Sequence, residues 1–464
     1  MAVTAGSEQT RATLVVCGAA GLLVAFGIAF TVDPRLGMLG LAAPVALAMI
    51  ASPAVGTGVL LLAMPMEELA AISGGGTLNK LIGLSAVGAW LLHTLLRREP
   101  IRAPAIALPL AGLVLWGAAS VLWAVDPGAS IHTLVTYLQL LGLYLLVVNV
   151  LATPAALRRA LHAHVAGATA LSVMGLYLTW QGVLQRGRTA IVVDHQLLLE
   201  PNAYAAALIL PVAICLTGSL DRHRGTFERL ALTLAGALCV TTLLLTMSRG
   251  AVVALAVMAI VVSVARGQLL LPVLAVLIAI PGLLLAPPEF WDRWTQAATL
   301  ADRGAGRLDI WRVGWVVIRQ HPFLGVGLGC FPVVYYEYLS QAAGISWRHA
   351  QAVAEVLIKY PHNIYLGTTA ELGIPGIGLL LAALGLHLRA AFQTWRGLQA
   401  RRHPAAELAL TAVAALFALA VQGAAFDIAH RKYLWVALGV AALGRLHVSR
   451  AVAAAAPVSV RRAA

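Results

Sequence analysis

The chain has 464 residues, of which 60% are hydrophobic and 11% charged, and its mean hydropathy is +0.87. Runs of about 20 apolar residues recur along it, the length a helix needs to cross the hydrocarbon core of a bilayer. Barrel strands would alternate polar and apolar residues instead. The fold class that follows is an all-α polytopic membrane protein. The net charge of +13 does not indicate nucleic acid, because the basic residues fall between hydrophobic runs and form no single stripe.

In chain order, candidate spans cover residues 12–31, 36–50, 55–66, 80–96, 103–125, 131–151, 155–180, 202–219, 230–247, 251–264, 269–286, 364–392, 405–426 and 433–446. The apolar run 13–31 is too long for a signal-peptide core and lacks a convincing cleavage site, so it reads as a retained first helix. The second and third candidates are short and carry Pro44 and Pro53, which fits either two spans or one re-entrant hairpin; the total is therefore 12–14 transmembrane helices. Cys17, Cys215 and Cys239 fall in spans and Cys330 in a polar loop, with no metal-ligand spacing, so they read as packing residues.

Orientation follows from the connections. With both termini in the cytoplasm, Arg97, Arg98, Arg102, Arg158, Arg159, Arg222, Arg224, Arg229, Arg266, Arg396, Arg401 and Arg402 all lie inside. The opposite face then receives arginines that topology alone disfavours, namely Arg186, Arg188, Arg249, Arg303, Arg307, Arg312 and Arg431, and something must compensate for them.

Three parts result: an N-terminal transmembrane bundle (1–286), a helical outer loop domain (287–363), and C-terminal transmembrane helices with a cytoplasmic tail (364–464). Within the loop, the segments 306–320 and 347–360 space apolar residues three or four apart and predict amphipathic helices. Trp311, Trp315 and Ile318 are expected to line one face of the first, with the tryptophans at the membrane interface. Between the two, the stretch from His321 to Gly329 is a glycine-punctuated turn region.

Several residue types here suit chemistry. Arg249 sits between two apolar runs at the outer boundary, where an arginine either snorkels to headgroups or binds phosphate oxygens through its planar fork. Arg186 and Arg188 flank Gly187 in a shorter outer loop and can add donors to an anion site. His362, after Pro361 at a helix start, is the side chain best poised to move a proton near neutral pH; the alternative is that it or Asn363 caps the helix. Acids and histidines on this face are scattered, so no metal site and no cofactor are expected.

Ser248-Arg249-Gly250 between spans, a long loop with Arg307 and Trp311, His321-Pro322-Phe323-Leu324-Gly325-Val326-Gly327, Pro361-His362-Asn363 and then Glu371-Leu372-Gly373-Ile374-Pro375-Gly376 together resemble the O-antigen ligase superfamily. That superfamily also holds O-antigen polymerases and O-linking oligosaccharyltransferases. The resemblance implies a GT-C-like glycosyltransferase of the bacterial inner membrane whose active site faces the periplasm. Its donor would be a glycan on undecaprenyl pyrophosphate and its acceptor lipid A-core oligosaccharide, with membrane lipids around it and no metal. By motif, Arg249 and His362 would be the catalytic residues, Arg186 or Arg188 would join Arg249 on the pyrophosphate, and Arg307, Trp311 and Asn363 would contact the acceptor or loop. The alternatives are a polymerase or protein-glycosylating relative and, from another class, a transporter of lipid-linked glycan; no internal repeat supports the last.

Overall fold

The computed structural model describes residues 49, 52–69, 71–72, 76–185, 187–193, 196–268, 307–342 and 360–455. The expected spans 12–31 and 269–286, all but Met49 of 36–50, the loop helix at 347–360 short of Tyr360, Arg186 and Arg303 lie outside the described residues.

Among the described residues there are thirteen α-helices. They are α1 (Pro53–Ala63), α2 (Leu78–Arg97), α3 (Leu108–Ser120), α4 (Pro127–Val150), α5 (Pro154–Trp180), α6 (Pro201–Ser219), α7 (Thr226–Leu245) and α8 (Arg249–Arg266). After these come α9 (Arg307–Gln320), α10 (Phe331–Leu339), α11 (Ile364–Ala400), α12 (Ala406–Gly423) and α13 (Lys432–Ala455). Two small antiparallel hairpins, Ala71–Ile72 with Gly76–Thr77 and Ile191–Val193 with Gln196–Leu199, are the strands described. Seven of the helices, α4 to α8, α11 and α12, are long and apolar enough to cross a membrane. The chain is an all-α, multi-pass membrane protein.

Local sequence explains where these helices begin. Proline occupies the first helical position of α1, α4, α5 and α6, where its missing N–H costs nothing. Asp126 caps α4 by accepting from the amides of Gly128 (2.8 Å) and Ala129 (3.1 Å), and Thr153 caps α5 by accepting from Ala156. The middle of the bundle is α6, buried almost all round and correspondingly apolar on every face. Its few polar atoms are paired between helices: the Tyr204 hydroxyl donates to the Leu171 carbonyl at 2.6 Å, and the hydroxyls of Thr217 and Thr411 meet at 2.6 Å. Such bonds contribute about 1 kcal/mol each in a membrane interior.

The two ends of the bundle differ in their chemistry. At one end Arg224 bonds Asp221 and Glu228, and Arg266 bonds Glu407 at 2.6 Å together with the carbonyls that finish α6. At the other end, which bears residues 307–342, the disfavoured arginines find partners. Arg312 lies 3.4 Å from Asp309, and Arg431 lies 5.6 Å from the centre of the Phe426 ring.

The loop elements fold onto α11. Helix α9 buries Ile310, Val313, Gly314 and Val317 against Phe331, Val334 and Tyr335 of α10 and Leu366 and Ala370 of α11. Beside this buried strip Trp311 and Ile318 are half-buried and Trp315 is exposed. Helix α10 itself was not expected. The 321–330 turn region takes the bonding groups that a break in α11 exposes. Gly373 is non-helical (φ 66°, ψ −165°), and around it Val326 N donates to Ala370 O, Gly327 N to Glu371 O, and Ile374 N to Pro322 O. The Glu371 carboxylate accepts from the amides of Gly329 (2.8 Å) and Phe331 (3.2 Å), fixing the start of α10. A Cβ on Gly373 would sit 2.1 Å from the Phe323 carbonyl oxygen, whereas one on Gly378 would meet nothing within 4 Å. Gly373→Ala is therefore expected to cost about 2 kcal/mol or more, from left-handed strain and collision together. Thermal melts in detergent should show a clear loss for Gly373→Ala and none beyond ordinary helix-propensity effects for Gly378→Ala.

Candidate active site at the loop-bearing end

Helix α7 ends at Leu245, and the chain turns through Thr246, Met247 and Ser248 before α8 begins at Arg249. Met247 adopts φ 51°, so the corner is tight and held from outside. Arg188 holds it. Its Nε donates to the Thr246 carbonyl at 2.7 Å and its NH2 nitrogen to Asn202 Oδ1 at 3.0 Å, while Thr189 N donates to the Leu245 carbonyl. Arg188 is 8% exposed, so the outer loop and the α7–α8 corner form one unit. The corner presents Arg249, half-buried, at the first position of α8.

Gly250 sets how closely that corner approaches α12. A Cβ there would lie 2.6 Å from Ala425 Cβ and 2.9 Å from Gln422 Oε1. The first turn of α8 thus rests on the end of α12 and the residues that follow it.

His362 arrives at the same place from the other side. Asn363 is the N-cap of α11, its Oδ1 accepting from Tyr365 N (3.0 Å) and Leu366 N (3.1 Å), so the capping role belongs to Asn363 and His362 is left outside the helix. His362 takes φ 47°, a left-handed conformation rare in a non-glycine residue, and its ring stacks on Phe426 with centroids 6.1 Å apart and planes 28° apart. Trp311 Nε1 donates to the Pro361 carbonyl at 3.1 Å, tying α9 to the residue before His362. Arg307 opens α9 one turn earlier.

Ala425 and Phe426 are adjacent, so the Arg249 corner and His362 rest on consecutive residues. The surrounding charge is mainly positive: Arg188, Arg249 and Arg431, with His430 3.9 Å from the Asp427 carboxylate. Among the described residues no group of three or more His, Cys, Asp or Glu side chains is clustered as metal ligands would be. In the loop, burial, with Asp309 next, pushes the Tyr335 hydroxyl up to about 12, which keeps that phenol protonated and a packing group.

The structure therefore brings together four of the sequence-derived residues, Arg249, Arg188, His362 and Asn363, and links Trp311 to them; Arg186 lies outside the described residues. Sequence reasoning does not single out Phe426 or Gln422, and it has Glu371 only as the first residue of a motif with no role assigned. Arg431 is legible in sequence as one of the disfavoured outer arginines, but its ring partner Phe426 is not.

A family model described as O-antigen ligase matches residues 234–381, from within α7 through Arg249 and His362 to beyond the break in α11. The chain carries an O-antigen ligase family domain. No curated protein matches the chain. The O-antigen ligase domain contains both Arg249 and His362, whereas Phe426, against which His362 packs, lies C-terminal to it. The matched family is one of glycosyltransferase-like ligases and polymerases, which supports an enzyme of that broad kind.

Removing Arg188 would leave the buried Thr246 carbonyl and the half-buried Asn202 oxygen without this donor. Arg188→Ala is expected to destabilise the protein by about 2–4 kcal/mol. Arg188→Lys, with a single ammonium in place of a fork, should recover only part of that. Thermal melts of both variants check the order.

Proposed function

We propose that the protein is an O-antigen ligase. In this reading it moves a glycan from undecaprenyl pyrophosphate to lipid A-core oligosaccharide at the periplasmic face of the inner membrane, within a GT-C-like architecture. The observation that carries it is the meeting of an arginine corner and a histidine of left-handed backbone on the adjacent residues Ala425 and Phe426.

The chemistry needs two services. As the bond between the sugar C1 and the pyrophosphate oxygen breaks, its electron pair passes to that oxygen. Arg249, on a corner braced by Arg188, meets the developing charge with preorganised donors. The acceptor hydroxyl attacks C1, and His362 takes its proton or holds it in line for attack. Undecaprenyl pyrophosphate leaves as the second product. The left-handed backbone at His362 and the stack on Phe426 fix the imidazole before substrate arrives. A cavity of about 320 Å³ between α2 and α4 suits part of the carrier's apolar chain; Leu84, Val87 and Leu143 line it and Lys80, His430 and Lys432 stand at its loop-bearing end. His430 also joins it to the connection carrying Asp427 and Phe426.

The test is transfer by purified protein with lipid-linked donor and lipid A-core acceptor. Arg249→Ala and His362→Ala should each lower kcat by about 10²–10⁴-fold, and excess EDTA should change nothing. Full activity in either variant removes that residue's role. A deletion strain should accumulate lipid-linked polymer beside unmodified lipid A-core; loss of chain extension instead would identify a polymerase.

A further inference from the structure

Gln422 lies in the last turn of α12, is 1% exposed, and has no hydrogen-bond partner at either Oε1 or Nε2. Its neighbours in sequence are Ala420, Val421, Gly423 and Ala424, so an apolar residue would meet any packing requirement there. A buried carboxamide with both ends unmade is costly, and in native proteins such groups mark ligands or bound water. Its position is specific. Gln422 Oε1 lies 2.9 Å from where a Cβ of Gly250 would stand, so the amide faces the first turn of α8. Oxygen and nitrogen of the amide are interchangeable in such an assignment, so either end can face that turn.

Helix α8 runs 18 residues, and the side chain of its N-cap Ser248 makes no capping bond. The first-turn amides and the dipole of such a helix favour an anion. Arg249 is its first residue and Gly250 its second, and the absence of a Cβ at Gly250 is what lets Gln422 come this close.

We propose that the Gln422 carboxamide and the first turn of α8 form, with Arg249, a phosphate subsite for the pyrophosphate of the lipid-linked donor. This rests on the donor reading above and extends it to a residue outside the matched family domain. Nε2 donates to a phosphate oxygen that Arg249 also holds. Gln422 is thus a binding residue for the part of the donor that does not change partners during transfer.

The test uses full-length protein in detergent and three measurements on wild type and Gln422→Met, a near-isosteric apolar replacement that removes the buried polar atoms without opening a hole. Binding of inorganic pyrophosphate is read by thermal shift and by calorimetry, binding of a prenyl pyrophosphate in mixed micelles is read the same way, and transfer kinetics give KM for each substrate. In Gln422→Met both pyrophosphates should bind about tenfold more weakly, the donor KM should rise in step, and the acceptor KM should hold. Loss confined to the prenyl form would place Gln422 against the lipid and overturn the phosphate subsite. Equal pyrophosphate binding by wild type and Gln422→Met, even with a changed melting temperature, would make the residue structural and overturn this inference alone. Failure of wild type to bind either pyrophosphate would overturn the donor reading itself.

Discussion

The close approach of Gly250 to Ala425 is the constraint on which the arrangement of the loop-bearing end depends. Helix α8 and α12 pack along their length, and at their shared end the missing side chain at Gly250 lets the α7–α8 corner settle on the last turn of α12. A methyl there would push against Ala425 Cβ at 2.6 Å. From that contact the other placements follow, because the next residue, Phe426, is the surface on which His362 stacks. Arg249 and His362 lie over 100 residues apart in sequence and reach one place through two neighbouring side chains of a third segment. The bundle supplies the cationic corner, and the segment entering α11 supplies the imidazole.

Each side chain of the candidate site is positioned by a neighbouring group. Arg188 anchors the corner through the Thr246 carbonyl, Trp311 holds the backbone at Pro361, and Asn363 caps α11 so that His362 is left out of the helix. This division fixes the backbone on either side of Arg249 and His362, the geometric condition for preorganisation. It also accounts for the arginines on this face. Arg188 is consumed by structure, Arg312 by Asp309 and Arg431 by the Phe426 ring, so the excess of positive charge is built into the local architecture and not scattered over a surface.

Much of this could be read from the chain. Long apolar runs marked α2 to α8 and α11 to α13 because burial in lipid demands helices. Asn363 as a cap, the amphipathic helix over 307–320 and the turn from His321 to Gly329 were equally visible, since each rests on local chemistry. What escaped depends on distant partners. Nothing near Arg188 in sequence names the Thr246 carbonyl 58 residues on, and Gln422 looked like an incidental polar residue in an apolar span. Helix α10 was missed because Pro332 and three tyrosines gave its nine residues no apolar contrast to read.

The break at Gly373 also fixes a length. The carbonyls of Ala370, Glu371 and Leu372 there are taken by Val326 N, Gly327 N and Trp116 Nε1, so the helix cannot rotate about its axis without surrendering all three. Between that anchored strip and His362 the chain is continuous helix from Ile364 onward, and each residue of helix turns its neighbours by about 100°. One residue added or removed in this stretch would swing the imidazole to a different side of the helix from Phe426, with every side chain in the site unchanged. The segment acts as a spacer whose register, more than its composition, aims the histidine.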